Sequence, residues 1–181
     1  MGWRLKKTIV MVGMMGAGKT AVGRALATTL HVPFLDSDQE IEDAATMTIA
    51  EIFERDGEPF FRAREAEVIQ RLLEGPPCVL STGGGAYLAD RNRAQISDKG
   101  VALWLNADLD LLRNRVKHRD TRPLLKTPDP YGTLKNLYET RVPYYSRADL
   151  TVRSSPAYSV QDMADKVVET LMERDDVLEA K

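Results

Sequence analysis

The chain has 181 residues, 43% of them apolar and 29% charged, with a formal net charge of −2. That length suits one domain with a real core, and the composition is that of an ordinary soluble globular protein rather than a disordered or fibrous one. The near-neutral charge offers no field to gather nucleic acid or an anionic membrane, and no stretch is long and apolar enough to span a bilayer. One cysteine, Cys78, excludes an internal disulfide and reads as a small core residue. Arg4, Lys6 and Lys7 before Thr8–Val12 look faintly like a signal peptide, but the apolar run is short and feeds straight into a glycine loop. The expected compartment is the cytoplasm, with no nucleic-acid or membrane partner.

In chain order, the first predicted strand is Thr8–Val12. It leads into Gly13-Met14-Met15-Gly16-Ala17-Gly18-Lys19-Thr20, a full match to G-x-x-x-x-G-K-[ST]. The helix pattern Lys19–Leu30 comes next, with Val22, Ala25, Leu26 and Leu30 on one face. Strand before and helix after is the context this motif requires. Glycines let the backbone wrap a phosphate, and the helix N-terminus adds its positive end. Lys19 can reach the β- and γ-phosphates of a nucleotide, and the Thr20 hydroxyl can ligate Mg²⁺.

The second strand, Val32–Asp36, ends in Leu35-Asp36-Ser37-Asp38. On an extended chain the two carboxylates point the same way. One can hold the water shell of Mg²⁺ and the other can orient or deprotonate a substrate hydroxyl; either could instead be a helix N-cap. Gln39–Glu74 then packs two or three helices into one crossover, more than covering a sheet requires, with Thr48 and Glu51 as a capping pair. Within it Arg62 and Glu65 share a helix face, and spacing alone favours a surface ion pair over a held carboxylate-binding arginine.

The third strand, Cys78–Thr82, runs into Gly83-Gly84-Gly85. Three glycines are costly in backbone entropy, so they imply a special conformation or a close backbone approach, and their N–H groups could bind substrate. The fourth strand is Val101–Leu105, succeeded by a helix over Asp108–Lys117. Then comes a basic, proline-bearing stretch, His118–Pro130, without clear periodicity. Beside a phosphate loop it can supply an arginine to a transferring phosphoryl group. A helix beginning near Tyr131 ends in Arg141-Val142-Pro143-Tyr144-Tyr145, where Arg141 is a carboxylate ligand or a helix C-terminal charge. The fifth strand is Asp149–Val152. Ser159 and Asp162 cap a last helix, and the charged tail Asp175–Lys181 is expected to fray. His31 and His118 have no metal or catalytic partner by spacing. Alternating strands and helices imply a parallel sheet covered on both faces, with ligands at its carboxyl edge.

With GMMGAGKT, LDSD, FR-x-x-E, STGGGA and RPLL followed by RVPYY in this order, the chain resembles the shikimate kinase family over nearly its whole length. The resemblance implies a three-layer α/β/α P-loop kinase fold with a five-stranded parallel sheet in the order 2-3-1-4-5. It implies an insert at about 37–65, a lid at about 115–130 and a monomer. It implies transfer of the ATP γ-phosphate to the 3-hydroxyl of shikimate, on the route to chorismate, with Mg²⁺ as cofactor. Gly13, Met14, Met15, Gly16, Ala17, Gly18, Lys19 and Thr20 would hold the phosphates, with Thr20 and Asp36 near the metal. Asp38, Arg62, Arg141 and Gly83, Gly84 and Gly85 would hold shikimate, with Glu65 supporting Arg62. Lys19, Asp38 and Arg122 would be catalytic, Arg122 reaching the phosphates from the lid. Arg115 and Pro156 match the family's adenine-side positions. The rivals are gluconate kinase, against which the triple glycine and RPLL speak, and a nucleotide-binding module without transfer activity.

Overall fold

The computed structural model describes residues 2–116 and 127–181. Two strands carry the centre of the molecule. β2 (Thr8–Val12) is buried at every position, and β5 (Gly100–Asn106) at all but the last. Such unbroken apolar runs, without inside–outside alternation, are what a parallel strand covered on both faces requires. They pair in register from Thr8 with Gly100 to Val12 with Trp104. β3 (Phe34–Asp36), β4 (Val79–Ser81) and β6 (Leu150–Arg153) complete the sheet in the spatial order β3-β4-β2-β5-β6, all parallel. Counting these five strands along the chain, that is the expected order 2-3-1-4-5.

The topology sets the layers. The crossover from β2 to β3 runs one way along the sheet, and those from β4 to β5 and β5 to β6 run the other. Right-handed connections therefore put α1 (Lys19–Leu30) on one face and α5 (Asp90–Lys99) on the opposite face. α8 (Val160–Leu171) joins α1, its buried stripe of Met163, Ala164, Val167, Val168 and Leu171 matching the helical period. Its start is a capping box between Ser159 and Asp162, as the spacing predicts. α6 (Leu109–Val116) and α7 (Pro130–Tyr145) lie between β5 and β6 in sequence.

The long second crossover holds three helices: α2 (Ser37–Ala45), α3 (Ile49–Asp56) and α4 (Glu58–Glu74). Ile41, Ile52, Phe61 and Val68 form a small core of their own there, separate from the main one, with Leu72 packed against both. The insert thus has apolar contacts of its own, while Ile69 and Leu73 of α4 anchor it in the main core. Thr48 and Glu51 form the expected capping box at the start of α3.

The tail does not fray as expected. Leu178–Ala180 forms β7, antiparallel to β1 (Trp3–Leu5), with Leu178 opposite Leu5. Val177 and Leu178 are buried, and Lys6 and Lys7 pair with Glu179 and Asp176. Charge density points to a solvated end, but two apolar residues and a facing strand at the other terminus outweigh it. Leu178→Ala should therefore destabilise the protein by about 2–4 kcal/mol. A thermal melt should show a midpoint roughly 5–10 °C lower, and an unchanged midpoint would mean that the clasp contributes nothing.

Candidate active site

At the carboxyl end of β2 the chain enters the glycine loop. Gly16 and Gly18 have φ of 82° and 95°, in the left-handed region that residues with a side chain avoid. Gly18 caps α1 without any side-chain hydrogen bond, so first-turn N–H groups remain for an anion. The carbonyls of the loop are braced from both sides. Lys19 Nζ donates to those of Gly13 and Met14 at 2.7 and 3.0 Å, and Arg115 Nη1 to those of Gly16 and Ala17 at 3.1 and 3.0 Å.

Beside the loop lies a cleft of about 720 Å³. Met15–Thr20, Asp36, Asp38, Gly83, Gly84, Arg115, Ser154 and Tyr158 are among the residues that line it. The sheet order explains this: β3, β4 and β2 are adjacent, so the segments leaving their carboxyl ends emerge side by side. Thr82 ties two of these ends together, its Oγ1 donating to the Met11 carbonyl at 2.9 Å. Pro156 is exposed and does not line the cleft, although its loop neighbours Ser154 and Tyr158 do. Arg122 and His118 lie outside the described residues.

The acidic pair converges by another route than an extended chain. Asp36 ends β3 and caps α2, its Oδ1 accepting from the N–H groups of Asp38 and Gln39 at 2.9 and 3.3 Å. Asp38 is already in the first helical turn, and the strand-to-helix corner brings both carboxylates to the cleft. Asp36 is thus an N-cap and a cleft residue at once. Asp38 Oδ1 is buried without a hydrogen-bond partner among the described residues. Burial, and then the charges of Asp36 and Glu65, push its carboxyl up to about 6, against the pull of Lys19 and Arg62.

The triple glycine explains itself by the groups that stand against it. None of the three has a positive φ. A Cβ on Gly83 would lie 2.9 Å from the Asp38 carboxylate. One on Gly84 would lie 2.5 Å from Arg141 Nη1, and one on Gly85 2.5 Å from Arg62 Nη2. Close approach, not unusual backbone, is the reason for the run: each glycine admits one polar side chain from a different helix. The three N–H groups donate to no acceptor among the described residues and remain for a ligand. The Tyr145 hydroxyl donates to the Gly84 carbonyl at 2.5 Å.

Arg62 and Glu65 are not the surface pair that spacing favours. Glu65 is 1% exposed and accepts from Arg62 Nη1 at 3.0 and 3.2 Å. Burial raises its carboxyl, while Arg62, Arg91 and Arg141 lower it. A buried carboxylate bonded in this way holds the Arg62 guanidinium in place. Arg141 is 9% exposed, against Gly84 rather than at a solvated helix end. Sequence reasoning missed Tyr145, Arg91 and the cleft wall of Ser154 and Tyr158. Arg91 reaches the Arg62 carbonyl from 29 positions away, and no motif marks the wall. RVPYY contains Tyr145, but nothing in its spacing points to Gly84.

A parallel sheet in this order, with a G-x-x-x-x-G-K-T loop leaving its first core strand and a cleft beside it, defines a P-loop phosphotransferase fold. The family model described as shikimate kinase matches residues 15–172. A shikimate kinase of Ruegeria pomeroyi is 67% identical over 97% of this chain and 90% of that protein, and one of Cereibacter sphaeroides 64% over 97% and 88%. Among solved structures, shikimate kinase from Acinetobacter baumannii in complex with shikimate superposes with a TM-score of 0.86 at 38% identity, covering 93% of this chain and 94% of that one. The chain belongs to the shikimate kinase family. A gluconokinase from Sinorhizobium meliloti, at 19% identity and a TM-score of 0.60, shares the fold alone.

The state of Asp38 has a measurable consequence. Its folded value near 6 lies above the ordinary 3.8, so folding disfavours the ionised form. The resulting penalty is absent below about pH 4 and complete above about pH 7. The difference corresponds to at most about 3 kcal/mol, and partial solvent access reduces it to about 1–2 kcal/mol. Asp38→Asn should be more stable than the unaltered protein by that amount at pH 8, with the gain vanishing toward pH 4. Melting curves at both pH values check this; equal midpoints at pH 8 would contradict the burial of an ionised Asp38.

Proposed function

We propose that this protein transfers the γ-phosphate of ATP to the 3-hydroxyl of shikimate, giving shikimate 3-phosphate and ADP on the route to chorismate. The observation that carries the reading is the convergence of Asp38, Arg62 and Arg141 on three successive glycines beside the phosphate loop. Two arginines suit one carboxylate, and a carboxylate with free backbone N–H groups suits a polyhydroxylated ring.

ATP lies with its phosphates in the loop Gly13–Thr20, where Lys19 and the α1 N-terminus face their charge. The adenine extends toward Arg115 and the loop holding Ser154, Pro156 and Tyr158. Thr20 and Asp36 are hard oxygen donors on the same cleft, which fits Mg²⁺, an ion that keeps several waters and needs only one or two protein ligands. When bound, the ion neutralises charge on the phosphates. Shikimate lies over Gly83–Gly85, its carboxylate between Arg62 and Arg141 and its hydroxyls on Asp38.

The 3-hydroxyl oxygen attacks the γ-phosphorus, and the bond to the β–γ bridging oxygen breaks, leaving ADP. Asp38 accepts the hydroxyl's hydrogen bond and offers the departing proton a carboxylate. Its raised value makes it a better acceptor than an ordinary aspartate, though such a transfer depends mostly on positioning and charge. We assign Arg122, in the expected lid at about 115–130, most of which lies outside the described residues, to the transferring phosphoryl group; the insert that carries Arg62 begins at about 37. The protein acts as a cytoplasmic monomer without nucleic-acid or membrane partners. No helix among the described residues is long and apolar enough to cross a membrane.

ADP release with Mg-ATP and a panel of shikimate, quinate, gluconate and no acceptor tests the reading. Strong turnover with shikimate alone is expected; gluconate turnover would shift the substrate, and acceptor-independent ATP binding without turnover would favour a binding module. kcat/KM for shikimate should fall about tenfold per pH unit below about 6, where Asp38 of the free protein takes a proton. A pH-independent profile down to 4.5, taken as a range of roughly one and a half units below that value, would remove Asp38 from this role. Arg62→Lys keeps a cation beside Glu65 and removes the fork. It should raise KM for shikimate about 30-fold, roughly 2 kcal/mol, with KM for ATP unchanged.

A further inference from the structure

We infer that Tyr145 is a positioning residue for the acceptor side of the site, holding the Gly84 peptide and Arg141 in one arrangement and linking both to the phosphate loop through Trp104. The inference rests on the functional reading above. Tyr145 takes part in no step of the transfer itself.

Arg141 and Tyr145 are one helical turn apart on α7 and share a face. Both converge on Gly84. The Tyr145 hydroxyl donates to the Gly84 carbonyl at 2.5 Å, across a separation of 61 residues. Arg141 Nη1 and the Tyr145 hydroxyl stand 2.5 and 3.5 Å from where a Cβ of Gly84 would be. A peptide unit is planar and trans, so fixing the Gly84 carbonyl toward α7 turns the Gly85 N–H the other way. That N–H has no acceptor among the described residues. One hydroxyl therefore sets the direction of a free donor and the seat of a carboxylate-binding arginine together.

The other side of Tyr145 meets the nucleotide half. Its ring packs on Trp104 with centroids 6.2 Å apart. Trp104 Cδ1 in turn lies 3.4 Å from where a Cβ of Gly13 would be, at the first glycine of the phosphate loop. Trp104 is held by its pairing opposite Val12. Gly84, Tyr145, Trp104 and Gly13 thus form a packed series between the two substrate positions. Tyr145 is 1% exposed, and burial pushes its hydroxyl up to about 12, so it remains a donor throughout the working range.

The test is Tyr145→Phe, which keeps the ring on Trp104 and removes only the hydroxyl. KM for shikimate should rise about 5–20-fold, the size of one lost hydrogen bond to a positioned group. KM for ATP and kcat should stay within about twofold, and the pH profile should not move. A merely structural residue would shift both KM values together or lower kcat alone, and either result overturns the inference, as does an unchanged KM for shikimate. If Tyr145→Phe does not fold, hydrogen exchange on the unaltered protein decides. Shikimate should protect the amides of 83–86 and 141–146 together, and protection of the glycine segment alone overturns the coupling. No turnover of shikimate by the unaltered protein overturns the functional reading and this inference with it, whereas turnover with an unmoved acid KM in Tyr145→Phe overturns the inference alone.

Discussion

Three side chains reach a backbone that carries none. Asp38, Arg141 and Arg62 stand so near Gly83, Gly84 and Gly85 that a single methyl group at any of these positions would meet a charged group at 2.9 Å or less. Much of the site depends on this contact. A carboxylate and two guanidinium groups converge from α2, α7 and α4, and three unsatisfied N–H groups lie among them. Alanine in place of glycine costs little in an ordinary turn. Here it would push a charged side chain out of its place.

The electrostatics of the site are unfavourable for folding and suited to its chemistry. Asp38 is buried near Asp36 and Glu65, with one oxygen unpartnered among the described residues. Glu65 is buried outright, yet Arg62, Arg91 and Arg141 surround it. One carboxylate thus keeps an unpartnered oxygen among the described residues, and the other is enclosed and bonded to Arg62. Removing the desolvation of Asp38 would favour the folded state and remove the group proposed to meet the acceptor hydroxyl, a trade-off expected where a site must keep unpaired polar atoms.

The rest of the fold supplies placement. β2 is central and buried, so the phosphate loop leaves from the middle of the sheet. β4 lies beside it, and the hydrogen bond from Thr82 to Met11 fixes the glycine run against that strand. The insert of α2, α3 and α4 has its own small core, and α4, which carries Arg62 and Glu65, is also anchored in the main core by Ile69 and Leu73. Lys19 and Arg115 brace the loop carbonyls.

Sequence by itself determined the elements with local causes. Short apolar runs marked the five parallel strands, most clearly the central ones, because strands buried on both faces cannot alternate. The pairs Thr48 with Glu51 and Ser159 with Asp162 marked helix starts, because capping is satisfied within four residues. The glycine loop marked phosphate binding, because its geometry needs glycine and the motif carries its own lysine. Tertiary structure alone decided the features that depend on distant partners. Charge along 175–181 suggested a free end, and only β1 at the opposite terminus made it a strand. The spacing of Arg62 and Glu65 suggested a surface pair, and only the fold buried Glu65 to 1%. The glycine run announced a constraint without naming it, since the side chains that need the space come from positions 38, 62 and 141. Tyr145 looked like the end of a helix until a contact 61 residues away gave its hydroxyl a partner. Local signals lie within a few residues of their cause, whereas close approach and burial belong to packing between segments far apart in the chain.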